Sequence, residues 1–389
     1  MEITDTYIRI MKLTDKKRHL FIADSGSVEL EAGIIKNGNI RDEGKLAVKI
    51  KSLTRQFIGQ SKLPCYAVVS LPEEKAFLQV IKMPKLDAEE MRAAVVFQAE
   101  NYIPLPLEKV YLDFETVPRP LEDFYQCEVL AAAIPKEIVD SRLRVLDAAG
   151  VACAAMELES QSVARAALAG KNNELSFMII HIGDTQSNVI IYSRGSIRFT
   201  FAIPVSNRDF VEAISDCANV NRDLAEKLKV KYGIEEFVRP AGKKKSDQQS
   251  EKRKIFEALV PKLVDFVQQV QKCARYYQTH EADGDESDGK NFGKIILCGR
   301  GADLRGLDEF LLSKINLPVS RLILPIGTDG LAIKKSGFAK SGVCGCAVAA
   351  GLALRALAIE SAATDGSFQF LMPPKPKRKL KRESKSKIK

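Results

Sequence analysis

The chain has 389 residues, long enough to bury more than one core and to divide into two or more domains. Apolar residues make up 46%, which excludes a wholly disordered chain, and no uncharged apolar run reaches the roughly 18 residues that a membrane-spanning helix needs. The net charge of +9 sits at one end: residues 373–389 hold nine Lys/Arg and one Glu, which leaves about +1 for everything else.

The N-terminal stretch MEITDTYIRIMKLTDKKRHL has charges where a signal peptide needs its apolar core, so a cytoplasmic protein is expected. Next, Leu20 to Ala23 reads as a strand entering a turn at Asp24-Ser25-Gly26-Ser27. VELEAGII then returns as a second strand to a turn at Asn37-Gly38. EGKLAVKIKSLTRQFIG sets Leu46, Ile50, Leu53 and Phe57 on one helical face. LDAEEMRAAVVFQAENYIP opens with Asp87 and Glu90 at capping-box spacing and stops before Pro104, and PKEIVDSRLRVLDAAG runs from Pro135 to a stop at Gly150.

The second half copies the first plan. Phe177 to Ile182 leads into His181-Ile182-Gly183-Asp184, NVIIYS returns, and Arg194-Gly195 turns into SIRFTFAI. Asp24 to Gly38 and His181 to Gly195 have the same spacing of fourteen residues, which argues for two related lobes. Residues 241–254 and 280–291 read as polar loops. Between them IFEALVPKLVDFVQQVQKCARYYQ reads as a long helix whose body starts at Pro261. KIILCGRGADLRGLDEFLLSKIN reads strand, glycine turn, helix, although Gly306 falls two positions too late for a dinucleotide fingerprint. No GxxxxGK[ST] segment occurs, which disfavours a P-loop nucleotidase. The eight cysteines are scattered in apolar stretches and suit reduced, buried thiols. With three histidines in the chain, no metal cluster or histidine-based catalytic set suggests itself.

An Asp-x-Gly turn between strands can aim backbone N–H groups at phosphate, and its carboxylate can hold hydrated magnesium. Two such hairpins with a glycine turn ahead of a helix resemble the actin, Hsp70 and sugar-kinase superfamily. The stretches QAENYIPLPLEKVYLDF, EVLAAAIPKEIVDSRLRVLDAAGV and AVAAGLALRAL narrow the resemblance, over about residues 20–358, to the PilM family of type IV pilus assembly, with FtsA a more distant relative. The resemblance implies an α/β, two-lobed actin-like fold, duplicated and ribonuclease H-like, with an inserted small α+β subdomain. Its first lobe would span 1–172, with 66–150 inserted and 329–360 completing it. The second lobe would span 173–328, and 361–389 would be a disordered basic tail.

It also implies a site for ATP with magnesium built from Asp24, Gly26 and Ser27, from His181, Gly183 and Asp184, and from Gly299, Arg300, Gly301 and Ala302. Departures crowd that site. The family's first loop reads acid-x-Gly-small-small-small-apolar-Lys, and Glu31 stands where the Lys belongs. His181 replaces an Asp, and an imidazole is a poor magnesium ligand. Arg300 separates two glycines, and Ser206-Asn207 replaces a glycine pair. A scaffold that has lost hydrolysis, with nucleotide binding weak or lost, is therefore expected. The competing readings are an active ATPase or kinase, which would need both carboxylates, and an FtsA-like filament protein, which would need an amphipathic C-terminal helix. Implied partners are the cytoplasmic peptide of the inner-membrane protein PilN, other pilus assembly proteins and further copies of the chain. Phe370, Leu371 and Met372, followed by Pro373, resemble the PilN segment and are candidate groove-binding residues; the basic run after them suits anionic lipid.

Overall fold

A computed structural model describes residues 1–16, 19–58, 65–117, 125–169, 176–234, 247–280, 293–324, 326–327 and 344–361. Strands β1 (Glu2–Ile3), β2 (Tyr7–Lys16) and β3 (His19–Glu29) form an antiparallel meander. A short hairpin of β4 (Ile35–Lys36) and β5 (Asn39–Ile40) turns through Asn37 and Gly38, both at positive φ, and leads to helix α1 (Glu43–Ile58). β6 (Cys65–Leu71) then lies beside β1, where the Met1 nitrogen donates to Val68 O at 2.6 Å and the Ser70 amide to Met1 O at 3.1 Å.

The chain next makes an excursion. β7 (Phe77–Pro84), α2 (Ala88–Ala99), β8 (Val110–Val117) and β9 (Gln126–Pro135) build a separate antiparallel sheet in the order β7-β9-β8. Met91 and Val95 of α2 close a small core on Ile81, Met83 and Val129. Helix α3 (Lys136–Ala149) returns to β10 (Val151–Leu158), which runs parallel to β6, and α4 (Glu159–Leu168) follows.

The second large sheet repeats the plan of the first. β11 (Phe177–Ile182), β12 (Ser187–Ser193) and β13 (Ser196–Ile203) form another antiparallel meander, followed by α5 (Asn207–Ala218), α6 (Arg222–Lys231) and α7 (Asp247–His280). β14 (Lys294–Cys298) adds parallel to β11; after α8 (Leu307–Ile315), β15 (Val319–Arg321) adds parallel to β14. β16 (Ile326–Gly327) pairs with β3 of the first sheet, and α9 (Ala347–Ser361) packs on α4 and β2. All six residues of β11 are buried, which is why FMIIHI reads as an unbroken apolar run: it is a central strand covered on both faces.

Local signals placed several ends correctly. The Asp87 carboxylate accepts from the Glu89 and Glu90 amides at the start of α2, and Gly150 closes α3 at φ 76°. Three sequence expectations need correction. β3 is one continuous strand, so Asp24–Ser27 is not a turn. Helix α7 begins at Asp247, inside the stretch read as a polar loop, and Pro261 lies within it. Ile255, Leu259, Leu263, Phe266, Val270, Cys273 and Tyr277 form one buried stripe across the proline, and that burial outweighs a local cost of about 3 kcal/mol. Among the cysteines, Cys217 is exposed and Cys65 half-buried.

Helices α4 and α9 approach so closely that a Cβ on Gly351 would stand 1.8 Å from Ser162 O. Replacing Gly351 with Ala forces the two backbones apart. We expect a loss of about 3 kcal/mol, the upper end of ordinary overpacking costs, read from urea midpoints of the full chain; an unchanged midpoint would refute this packing.

Candidate functional site

Each meander contributes its first turn to one cleft. Thr4–Thr6 joins β1 to β2, Gly183–Gln186 joins β11 to β12, and Thr6 Oγ1 donates to Asp184 Oδ2 across the gap at 2.9 Å. Glu2, Tyr7, His181 and Gln186 line the same cleft, with Glu74, Arg142 and Glu159 along one side. The enclosed space is about 40 Å³.

The residues proposed from sequence divide into two groups. His181, at the end of β11, and Gly183 and Asp184, in the following turn, line the cleft, and Arg300 reaches Asp184 with Nη1–Oδ2 at 3.1 Å. Gly299, Gly301 and Ala302 form the turn behind it. Gly299 has φ 88°, and a Cβ there would lie 2.3 Å from Ile182 O, while one on Gly301 would lie 2.1 Å from Ile182 Cγ2. These glycines let the turn seat on β11. Asp24, Gly26 and Ser27 are elsewhere: they stand mid-strand in β3, opposite Lys12, Ile10 and Arg9. A Cβ on Gly26 would meet the Phe57 ring at 2.8 Å, so this glycine admits α1, and Glu31 pairs with Lys49 at 2.9 Å.

The first loop that faces His181 is instead Glu2-Ile3-Thr4-Asp5-Thr6-Tyr7-Ile8-Arg9. It fits the frame of acid, one residue, small residue and distal cation with Thr4 in the glycine position and Arg9 in the lysine position. That frame was open to reading at the N-terminus, and the missing glycine concealed it. Phe370, Leu371, Met372 and the basic run lie outside the described residues.

Charge in the cleft is matched from within. Glu2, 2% exposed, accepts from Tyr7 Oη at 2.6 Å and from Arg9 Nη1 at 3.3 Å, and Arg9 also donates to Gly345 O at 2.6 Å. Asp184 accepts from Thr6, from Arg300 and from Asn207 Nδ2 at 3.3 Å. Behind Asn207 lies Lys229, fully buried, donating to Glu226 Oε1 at 2.7 Å, to Arg300 O at 3.0 Å and to Asn207 Oδ1. Burial lowers the Lys229 pKa against the pull of Glu226, and the same cause raises the Glu74 and Glu159 carboxyls. Burial holds the His181 imidazole down at about 4, although Asp184 acts the other way. The second turn is closed by the Gly183 amide donating to Gln186 O at 3.0 Å.

A larger cavity, about 270 Å³, arises on the small sheet from a mismatch in length. Register puts Phe77, Ala133 and Leu112 in one row and Gln79, Ala131 and Phe114 in the next, on the face that carries Ile81 and Val129. Helix α2 covers Ile81, Val129 and Ala131, and its Arg92 stands over the Phe114 ring, but it ends at Ala99, and the cavity opens over the Phe77-Ala133-Leu112 row beyond that end. Ala131 and Ala133 make a low floor, with Phe77, Leu112, Ile103 and Tyr102 as walls and Thr200 of β13 at one edge. Tyr102 is 53% exposed. Buried Glu128 on β9 and Arg198 on β13 pair at 2.5 Å nearby in the fold, tying the small sheet to the second large one.

A family described as "Type IV pilus assembly protein PilM" matches residues 1–357. Among solved structures, the chain is similar to a chain of the "PilM-PilN type IV pilus biogenesis complex" at 24% identity, covering 91% of this chain and 96% of that one, with a TM-score of 0.71. It is also similar to the ethanolamine utilization protein EutJ from Carboxydothermus hydrogenoformans, at 12% identity over 91% and 87% of the two chains (TM-score 0.49). A further structure, MreB5 of Spiroplasma citri bound to ADP, matches at 15% identity over 87% and 81% (TM-score 0.47). The first of these bears on the fold, which is the two-lobed actin-like one. With residues 1–357 matched, the chain belongs to the PilM family of type IV pilus assembly proteins.

Proposed function

We propose that this chain is a scaffold of type IV pilus assembly that holds a short apolar segment of a PilN-like inner-membrane protein in the groove beyond the end of α2. The observation that carries the reading is the groove itself: an apolar floor of two alanines between aromatic and aliphatic walls, open to solvent at Tyr102. Such a site takes bulky side chains from an extended or helical peptide, and its backbone and polar rim fix their direction. No helix among the described residues is long and apolar enough to cross a membrane, so on this reading the partner supplies the membrane link. The PilM–PilN complex among the similar structures supports the same assignment.

The cleft between the turns does not fit a magnesium nucleotide. Its space of about 40 Å³ is room for about three waters, at about 10–15 Å³ each, against several hundred Å³ for a drug-sized ligand. Both oxygens of Glu2 and both of Asp184 already accept hydrogen bonds, and His181 is neutral at pH 7 where a carboxylate would be needed for the metal. The reading is therefore a scaffold that does not run on ATP hydrolysis.

Three outcomes follow. Filling the groove with Ala133→Leu should weaken a PilN N-terminal peptide at least thirtyfold in calorimetry, with Tyr102→Ala giving about tenfold and an unchanged melting curve; retained affinity in both variants would move the docking site elsewhere. Titration with ATP, with and without magnesium, should show neither submillimolar binding nor turnover in the unmodified protein or in His181→Asp, and steady turnover by the unmodified protein would reverse the reading. The pKa of His181 is about 4 when folded against 6.5 as a free side chain. Its contribution is thus complete above pH 6.5 and declines as pH falls towards 4, by about 3 kcal/mol at most. Chemical unfolding of His181→Gln should lack that share of the acid slope.

A further inference from the structure

The groove and the C-terminal segment have complementary chemistry. Beyond Ser361, where α9 ends, 28 residues remain. Within them Phe368, Phe370, Leu371 and Met372 fall in five consecutive positions, and the only large apolar residues after them are the isolated Leu380 and Ile388. Nine Lys/Arg follow the cluster. The groove presents the converse: an apolar floor and walls on a segment, residues 72–117, with nine Asp/Glu against five Lys/Arg. Glu100 and Glu108, both exposed, flank the wall residues Tyr102 and Ile103 in sequence.

We infer that Phe368–Met372 of this same chain occupies the groove and competes with the membrane partner for it, an autoinhibitory use that rests on the docking site proposed above. Six residues lie between Ser361 and Phe368, and the seven steps span about 25 Å when extended, compared with a radius of gyration of about 21 Å for a compact chain of this length. Apolar side chains supply the contact, and the basic run beyond them is attracted by the acidic segment, an attraction that salt screens. Tethering matters more than intrinsic affinity. A segment that binds its site with a dissociation constant of about 0.1 mM, held at an effective concentration on the order of 1 mM, lowers the apparent affinity of a competitor about tenfold.

The test uses the full chain and a labelled synthetic peptide of its own residues 366–377. In fluorescence anisotropy the peptide should bind the full-length variant F370S/L371S/M372S about tenfold more tightly than the unaltered chain, whose own segment holds the groove. Adding Ala133→Leu to that variant should remove the binding, with Tyr102→Ala as a second variant if the leucine impairs folding. Raising salt from 50 to 500 mM should weaken it. Equal binding to both full-length chains, no binding to the serine variant, or binding indifferent to Ala133 and Tyr102 would each overturn the inference. So would light scattering that shows the unaltered chain dimeric and the serine variant monomeric, because the segment would then be docking on a second copy. A PilN N-terminal peptide run in parallel separates the two readings: if it binds through Ala133 while the chain's own peptide does not bind at all, the docking site stands and the autoinhibition fails.

Discussion

Much of the centre of this molecule is organised around one carboxylate. Asp184 sits in the turn between β11 and β12 and accepts hydrogen bonds from Thr6 of the first sheet, Arg300 of the turn after β14 and Asn207 of α5. With its side chain 11% exposed, this carboxylate would carry a desolvation cost if it had fewer partners. Three donors from three separate elements meet that cost, and they also fix the two sheets relative to each other. Lys229 extends the network by joining Asn207, Glu226 and the Arg300 carbonyl. Every one of these groups is engaged by a protein neighbour, so the cleft is closed by the chain's own charges.

The two cavities differ because different packing constraints made them. The cleft is small and polar because its walls are the ends of β-strands, where unpaired backbone and charged side chains must find partners. The groove is larger because a sheet face outlasts the helix that covers it. Alanines at 131 and 133 keep its floor low, and the 3₁₀ turn Glu73–Lys75 runs between the two: Glu74 lines the cleft and Ala76 and Phe77 line the groove. Glu73 accepts from the Ser160 amide at 3.1 Å and is also hydrogen-bonded to Thr200 at the groove edge. One short segment thus borders a site that is internally filled and a site that is open.

What the sequence determined by itself was local. Alternation of apolar and polar residues, caps such as Asp87 and Gly150, and the turn at Arg194-Gly195 defined helices α1, α2, α3 and α8 and strands β11 to β14, because each depends on neighbours a few residues away. The resemblance gave the two-lobed plan, although the fourteen-residue match offered for it set Asp24 against His181 and β3 is continuous at Asp24; His181, Gly183, Asp184 and Arg300 were legible as one constellation. Tertiary structure decided which stretch faces them. Asp24-Ser25-Gly26 has the composition of a phosphate turn, yet pairing with Lys12, Met11 and Ile10 and the approach of Phe57 make it the middle of a strand, while Glu2 to Arg9 takes the facing position without a glycine. Likewise Pro261 lies inside a helix because a long-range buried stripe on either side of it is worth more than the local bond it removes. Composition reports what a segment can do alone; which segment is opposite another is set by burial between residues far apart in the chain, and no local pattern encodes it.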